Sequence, residues 1–136
     1  VMTVGGVTFK RYLEIAQILN KETAVVTDND GNIEAVKKKY KEYEGIPCIH
    51  ICVDEVVDTG DLKLSDKDFN YNTLEPKILK ENGGDVMNKI FGTNYDADDE
   101  MHKYMYTHKT DCAIAIFESA TKIKYPEYIM RAIKNE

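Results

Sequence analysis

Apolar and β-branched residues recur along this chain with two periods, and the change of period divides it. Up to residue 53, short apolar runs alternate with amphipathic stretches, whereas beyond residue 73 helical spacing dominates. Val1–Val4 is predicted as a short strand, closed by the turn Gly5-Gly6. Thr8 then caps a predicted helix in which Phe9, Tyr12, Leu13, Ala16 and Leu19 share one face. Thr23–Thr27 reads as a buried strand, because Ala24, Val25, Val26 and Thr27 are apolar or β-branched. A helix follows from about Ile33 to Tyr43, with Ile33, Val36 and Tyr40 as its inner stripe. Gly45 and Pro47 end it. Ile46–Val53 is predicted as a third strand, whose near-continuous apolar run suits burial on both faces of a parallel sheet.

This β-α-β-α-β order over residues 1–64 implies a parallel sheet with right-handed crossovers. Asp54–Asn72 is acidic and irregular, with a short strand candidate at Leu62–Leu64. Residues 73–136 are mainly helical, with helices expected at Thr73–Glu81, Val86–Phe91, Asp98–Thr107, Thr110–Ser119 and Pro126–Lys134. The expected class is α/β, a parallel sheet with flanking helices and a helical C-terminal portion. At 136 residues the chain is one domain or a piece of one.

The chemistry concentrates where the Thr23–Thr27 strand ends, at Asp28-Asn29-Asp30-Gly31-Asn32. Acids spaced i, i+2 on an extended chain point to the same side. Like charges that close are costly unless a cation neutralises them. Hard carboxylate oxygens suit Mg²⁺ or Mn²⁺, and the carboxyl edge of an open α/β sheet is where ligands sit. The competing structural reading makes the two acids a helix N-cap and a turn residue. Gly5-Gly6 reads as a plain strand-to-helix turn ahead of a phosphate cradle.

Composition adjusts this picture only in part. Hydrophobic content of 43% and charged content of 31% are those of an ordinary globular protein. No apolar run reaches the roughly 20 residues of a membrane span, and no signal peptide pattern is present. Val1 opens directly in strand-like sequence, which suggests an excised segment of a longer protein. Cys48, Cys52 and Cys112 lie on apolar runs and read as buried free thiols of a cytoplasmic protein. His102 and His108 read as surface residues, and no spacing makes a zinc signature. The net charge of −6 argues against nucleic-acid binding by this chain alone, and Lys37-Lys38-Lys39 reads as a solvated helix face.

With the order β-α-β-Asp-x-Asp in place, the chain resembles the Toprim domain of OLD-family (overcoming lysogenisation defect) nucleases. The resemblance is carried by Val4-Gly5-Gly6 with Phe9 and Tyr12, by Val25–Asp30, and by Asn72-Thr73-Leu74-Glu75. Lys109-Thr110-Asp111-Cys112-Ala113 and the closing Pro126–Ile133 extend it over nearly the whole chain. It implies a metal-dependent DNA endonuclease module on a Toprim-like fold. The module sits beside an ABC-type ATPase domain of the same full-length chain, in a cytoplasmic homodimer with no membrane partner. Carried over by position, the resemblance assigns Asp28, Asp30, Glu75 and Lys109 to catalysis. It gives Asp28, Asp30, Asn32 and Glu75 to two Mg²⁺ or Mn²⁺ ions, with Lys109 facing the phosphate. Two cations about 4 Å apart activate water and stabilise the leaving oxygen of a phosphodiester.

One departure stands out. The family's Glu-Gly-x-x-Glu strand-turn has no counterpart, and Glu44-Gly45 follows a helix rather than a strand. The chain is therefore expected to be an N-terminally truncated Toprim domain with an incomplete metal site and little activity on its own. Two other readings accompany this one. Asp28-Asn29-Asp30-Gly31 also resembles the first motif of haloacid dehalogenase-like phosphatases, in which the first Asp attacks phosphorus. A non-catalytic Toprim-like domain for DNA docking or assembly is the third.

Overall fold

The computed structural model describes residues 8–59 and 69–134. The predicted strands at Val1–Val4 and Leu62–Leu64 and the turn at Gly5-Gly6 lie outside the described residues. The described chain is α/β. It runs α1 (Phe9–Ile18), β1 (Thr23–Thr27), α2 (Ile33–Tyr40) with a 3₁₀ turn at Lys41–Tyr43, then β2 (Ile49–Val53). After the irregular segment come α3 (Leu74–Asn82), α4 (Gly84–Phe91), α5 (Asp98–Thr107), α6 (Lys109–Glu118) and α7 (Glu127–Lys134).

Among the described residues the sheet has two strands, β1 and β2, paired in parallel with Thr23 opposite Ile49 and Thr27 opposite Val53. The β2 strand begins later than its apolar run. Ile46 and Pro47 form a turn closed by the Ile49 amide donating to the Ile46 carbonyl at 3.0 Å. β2 is largely buried, as its composition predicts. β1 is not: its positions alternate, and Val26 on the open face is 46% exposed.

α1 also buries a narrower stripe than its apolar pattern suggests. Phe9, Leu13 and Ala16 are buried, whereas Tyr12 and Leu19 are exposed. A helix lying on one side of a sheet needs only the i, i+4, i+7 row for contact. Thr8 has helical dihedrals and makes no side-chain cap bond.

Two apolar clusters divide the molecule. The first joins α1, α2 and the sheet through Phe9, Leu13, Tyr40, Tyr43, Cys48 and Ile49. The Phe9 ring lies 4.9 Å from that of Tyr40. The second joins α3 to α6 around Met87, Met101 and Met105, none more than 1% exposed. Each such fully buried side chain contributes roughly 1.5–3 kcal/mol. His102 belongs with this interior rather than the surface. It is 1% exposed, and its ring centre lies 4.4 Å from that of Phe69. The neighbouring aromatic supplies the apolar cover that composition around His102 did not reveal.

α7 returns to the sheet. Arg131 donates to the Val53 carbonyl at 2.5 Å, and Tyr128 is 3% exposed beneath it. The C-terminal helix thus closes over the carboxyl ends of β1 and β2. No helix among the described residues is long and apolar enough to cross a membrane.

Candidate functional site

Each strand is followed at once by an aspartate. The register that sets Thr27 against Val53 places Asp28 and Asp54 next in line, at the carboxyl edge of the sheet. The chain does not stay extended beyond Thr27. Asn29 to Asn32 form a turn, with the Asn32 amide donating to the Asn29 carbonyl at 2.7 Å. Its central residues Asp30 and Gly31 both have positive φ, +49° and +83°. That is the mark of a type I′ turn, for which Asp-Gly is a favoured pair. Asp30 is therefore exposed on the turn, while Asp28 stays half-buried at the strand end.

Neither acid caps the following helix. Asn32 does, its Oδ1 accepting from the Ala35 amide at 3.0 Å. The N-cap half of the competing reading is thereby removed, whereas Asp30 is the turn residue that it expected. The side-chain oxygen of Asn32, to which the family resemblance gives a metal role, is engaged with α2.

Asn29 anchors the site and is the residue that motif reasoning passed over. It is fully buried; its Nδ2 donates to the Asp54 carbonyl at 3.1 Å and to the Val56 carbonyl at 2.8 Å. Its Oδ1 accepts from the Gly31 amide at 2.7 Å. One amide thus ties the β1 turn to the segment leaving β2. Lys77 of α3 reinforces that segment, with Nζ 2.6 Å from Asp54 Oδ2 and donating to the Val56 carbonyl at 2.6 Å.

Asp28 Oδ1 accepts a hydrogen bond from the Tyr128 hydroxyl at 2.7 Å. Burial raises the Asp28 carboxyl above its usual range; the Tyr128 bond opposes this, and the charges of Asp30, Glu75 and Asp54 add to it. Burial, followed by the bond to Asp28, pushes the Tyr128 hydroxyl upward, so it remains a donor. Glu75 stands in the first turn of α3, and its Oε1 lies 2.9 Å from Lys109 Nζ at the start of α6. The four residues assigned from the resemblance are linked in pairs rather than gathered at one point. Glu75 and Asp30 act electrically on Asp28, and Lys109 pairs with Glu75.

Cys112 lies within reach of the Glu75 charge. Burial first, then Asp111 and Glu75, push its thiol up to about 11. It stays protonated at neutral pH and unreactive. Cys48, Cys52 and Cys112 are all free and buried, as read from their apolar surroundings.

The donor chemistry of Asp28, Asp30 and Glu75 suits a hard divalent cation. The number of donors does not. Among the described residues no group of three or more His, Cys, Asp or Glu side chains is placed to hold a metal ion. Asp28 is tied to Tyr128, Glu75 to Lys109 and Asp54 to Lys77.

Asp54, Tyr128 and Lys77 were not anticipated as neighbours of the acid pair. A signal for Asp54 was present, since it follows β2 as Asp28 follows β1. Tyr128 and Lys77 carry no such mark, because only packing of α7 and α3 brings them in.

Burial of Asp28 gives a signed prediction. The folded chain holds the Asp28 proton to higher pH than the unfolded chain, whose ordinary value is 3.8. Raising the pH from there through the folded value removes stability. Asn carries no charge and still accepts from Tyr128. Asp28→Asn is therefore expected to raise the Tm at neutral pH, and the gain should vanish at about pH 3, where aspartate is protonated in both states. Thermal melts at the two pH values check this.

Fold and site together define an α/β domain with clustered carboxylates at the carboxyl edge of its parallel strands. No family model matches the chain, and comparisons with curated proteins and with solved structures return no match either.

Proposed function

We propose that this chain is the cleavage module of a metal-dependent DNA endonuclease, like the Toprim domains of OLD-family nucleases. The observation that supports the proposal is a chain of charge contacts linking three separate stretches of the sequence, Asp28 with Asp30, Glu75, and Lys109. Glu75 pairs with Lys109 at 2.9 Å, and the charges of Asp30 and Glu75 bear on Asp28. The acid that completes a metal set would come from chain outside the described residues. The full-length protein would be a cytoplasmic homodimer with an ATPase domain.

In this reading each residue has a task that its surroundings support. Tyr128 holds Asp28 in one orientation. Asn29 and Lys77 fix the edge on which Asp28 stands. Lys109 presents a positive charge where a phosphodiester gathers negative charge in its transition state.

The test is thermal stability in Mn²⁺. A metal at ten times its Kd adds about 1.4 kcal/mol to the folded state. The chain is expected to show a rise in Tm at millimolar Mn²⁺ that Asp28→Ala abolishes. No rise, or the same rise in Asp28→Ala, would overturn the proposal.

A specific observation favours a second reading, a non-catalytic assembly domain. Asp54 and Glu75 already have lysine partners, so the cluster is substantially neutralised without a metal. This reading expects the same Tm with and without Mn²⁺.

A further inference from the structure

The fold gathers lysines that the chain's net charge conceals. α1 and α2 pack in one apolar cluster with the start of β2. An open groove of about 850 Å³ lies against them, lined by Lys10, Lys38, Lys39, Lys41 and Glu42, with Phe9 among its walls. Four lysines therefore face one glutamate, in a chain whose net charge is −6.

The arrangement is partly ordered before any ligand arrives. Lys39 Nζ lies 4.7 Å from the Phe9 ring centre and 5.3 Å from that of Tyr40, so cation–π attraction holds it at the wall. Lys10 Nζ is 2.5 Å from Glu42. Lys38 and Lys41 form no ion pair among the described residues.

Helix stability explains only part of this. Lys37, Lys38 and Lys39 complement the negative end of the α2 dipole. Lys10 stands in the first turn of α1, where a cation opposes the dipole. It nonetheless joins the same groove. The groove also offers no large exposed apolar side chain to insert into a bilayer, since Phe9 is only 8% exposed and the other apolar residue of its lining is Ala35.

We propose that this groove binds the phosphate backbone of DNA. The proposal deepens the nuclease reading and rests on it for the choice of polyanion. A chain of net negative charge repels DNA, so a module that works on DNA needs a local cationic surface to hold it. This is such a surface, and it is separate from the acidic strand ends. Contact through lysines alone recognises phosphate and not base sequence.

Fluorescence anisotropy with a labelled mixed-sequence duplex, in EDTA and from about 50 mM salt upward, tests the proposal. The 136-residue chain is expected to bind, with affinity falling steeply as salt rises. Lys38→Ala/Lys39→Ala/Lys41→Ala should reduce the slope of log K against log salt by about 3, or about 1 per lysine. Lys38→Ala/Lys41→Ala, which keeps Lys39 over Phe9, should reduce it by about 2. Absence of binding by the unaltered chain, or an unchanged slope in both variants, overturns the proposal. So does lysine-dependent binding to phosphatidylserine vesicles or polyglutamate with none to DNA. EDTA makes DNA binding report on the groove alone, whereas Mn²⁺ stabilisation reports on the acid cluster, so either reading fails independently of the other.

Discussion

Lys77→Met is expected to lower stability by about 3–5 kcal/mol, the range for breaking a buried ion pair from one side. The Lys77 and Asp54 side chains are 8% and 6% exposed, with the ammonium 2.6 Å from the carboxylate. Methionine roughly fills the space but removes the charge and the donor to the Val56 carbonyl. Asp54 would keep the Val56 amide on Oδ1 and lose the cation at Oδ2. Urea denaturation measures the loss, and Lys77→Met/Asp54→Asn should recover much of it, because removing both charges leaves neither stranded. A loss below about 1 kcal/mol in the single variant would mean that the pair behaves as a surface contact.

Asn29→Asp is expected to cost about 3 kcal/mol or more, although the two side chains have nearly the same shape. The carboxylate has no donor for the Asp54 carbonyl, which Asn29 Nδ2 satisfies at 3.1 Å, and it leaves the Val56 carbonyl to Lys77 alone. Each buried group left without a partner costs about 1–3 kcal/mol. The change also places a charge between Asp28 and Asp54, where the site already carries several acids. The Gly31 amide still has an acceptor, so the defect falls on the far side of the bridge. Denaturation should show the loss, and amide exchange should quicken at Asp54 and Val56. Stability equal to that of the unaltered chain would show that the bridge from Asn29 carries no weight.

Much of the fold was legible because its cues are local. Thr23–Thr27 emerges where predicted, as does Asp98–Thr107. β-branched residues and periodic spacing act within one element. The ends are where neighbours intervene. Asn32 caps α2 because the Asp30-Gly31 turn advances the chain before the helix begins. His102 is buried because Phe69, distant in sequence, covers it. Tyr12 is exposed because only one row of α1 packs into the core.

The candidate site divides the same way. Asp28 and Asp30 are visible as a spaced pair, and Glu75 and Lys109 by their places in a family pattern. Asn29 is visible only afterwards, since an asparagine in a turn ordinarily needs no buried partner. The basic groove is invisible to net charge, which sums over the surface and discards position.

What the order of residues determines by itself is the set of elements and the acid that follows β1. Backbone propensity and hydrophobic period act over a few residues and need no other part of the chain. Tertiary structure alone decides that Tyr128 holds Asp28, that Lys77 neutralises Asp54, and that Glu75 meets Lys109. It alone turns scattered lysines into one surface. These pairings depend on distance and burial, because the strength of a charge or a hydrogen bond is set by what excludes water around it.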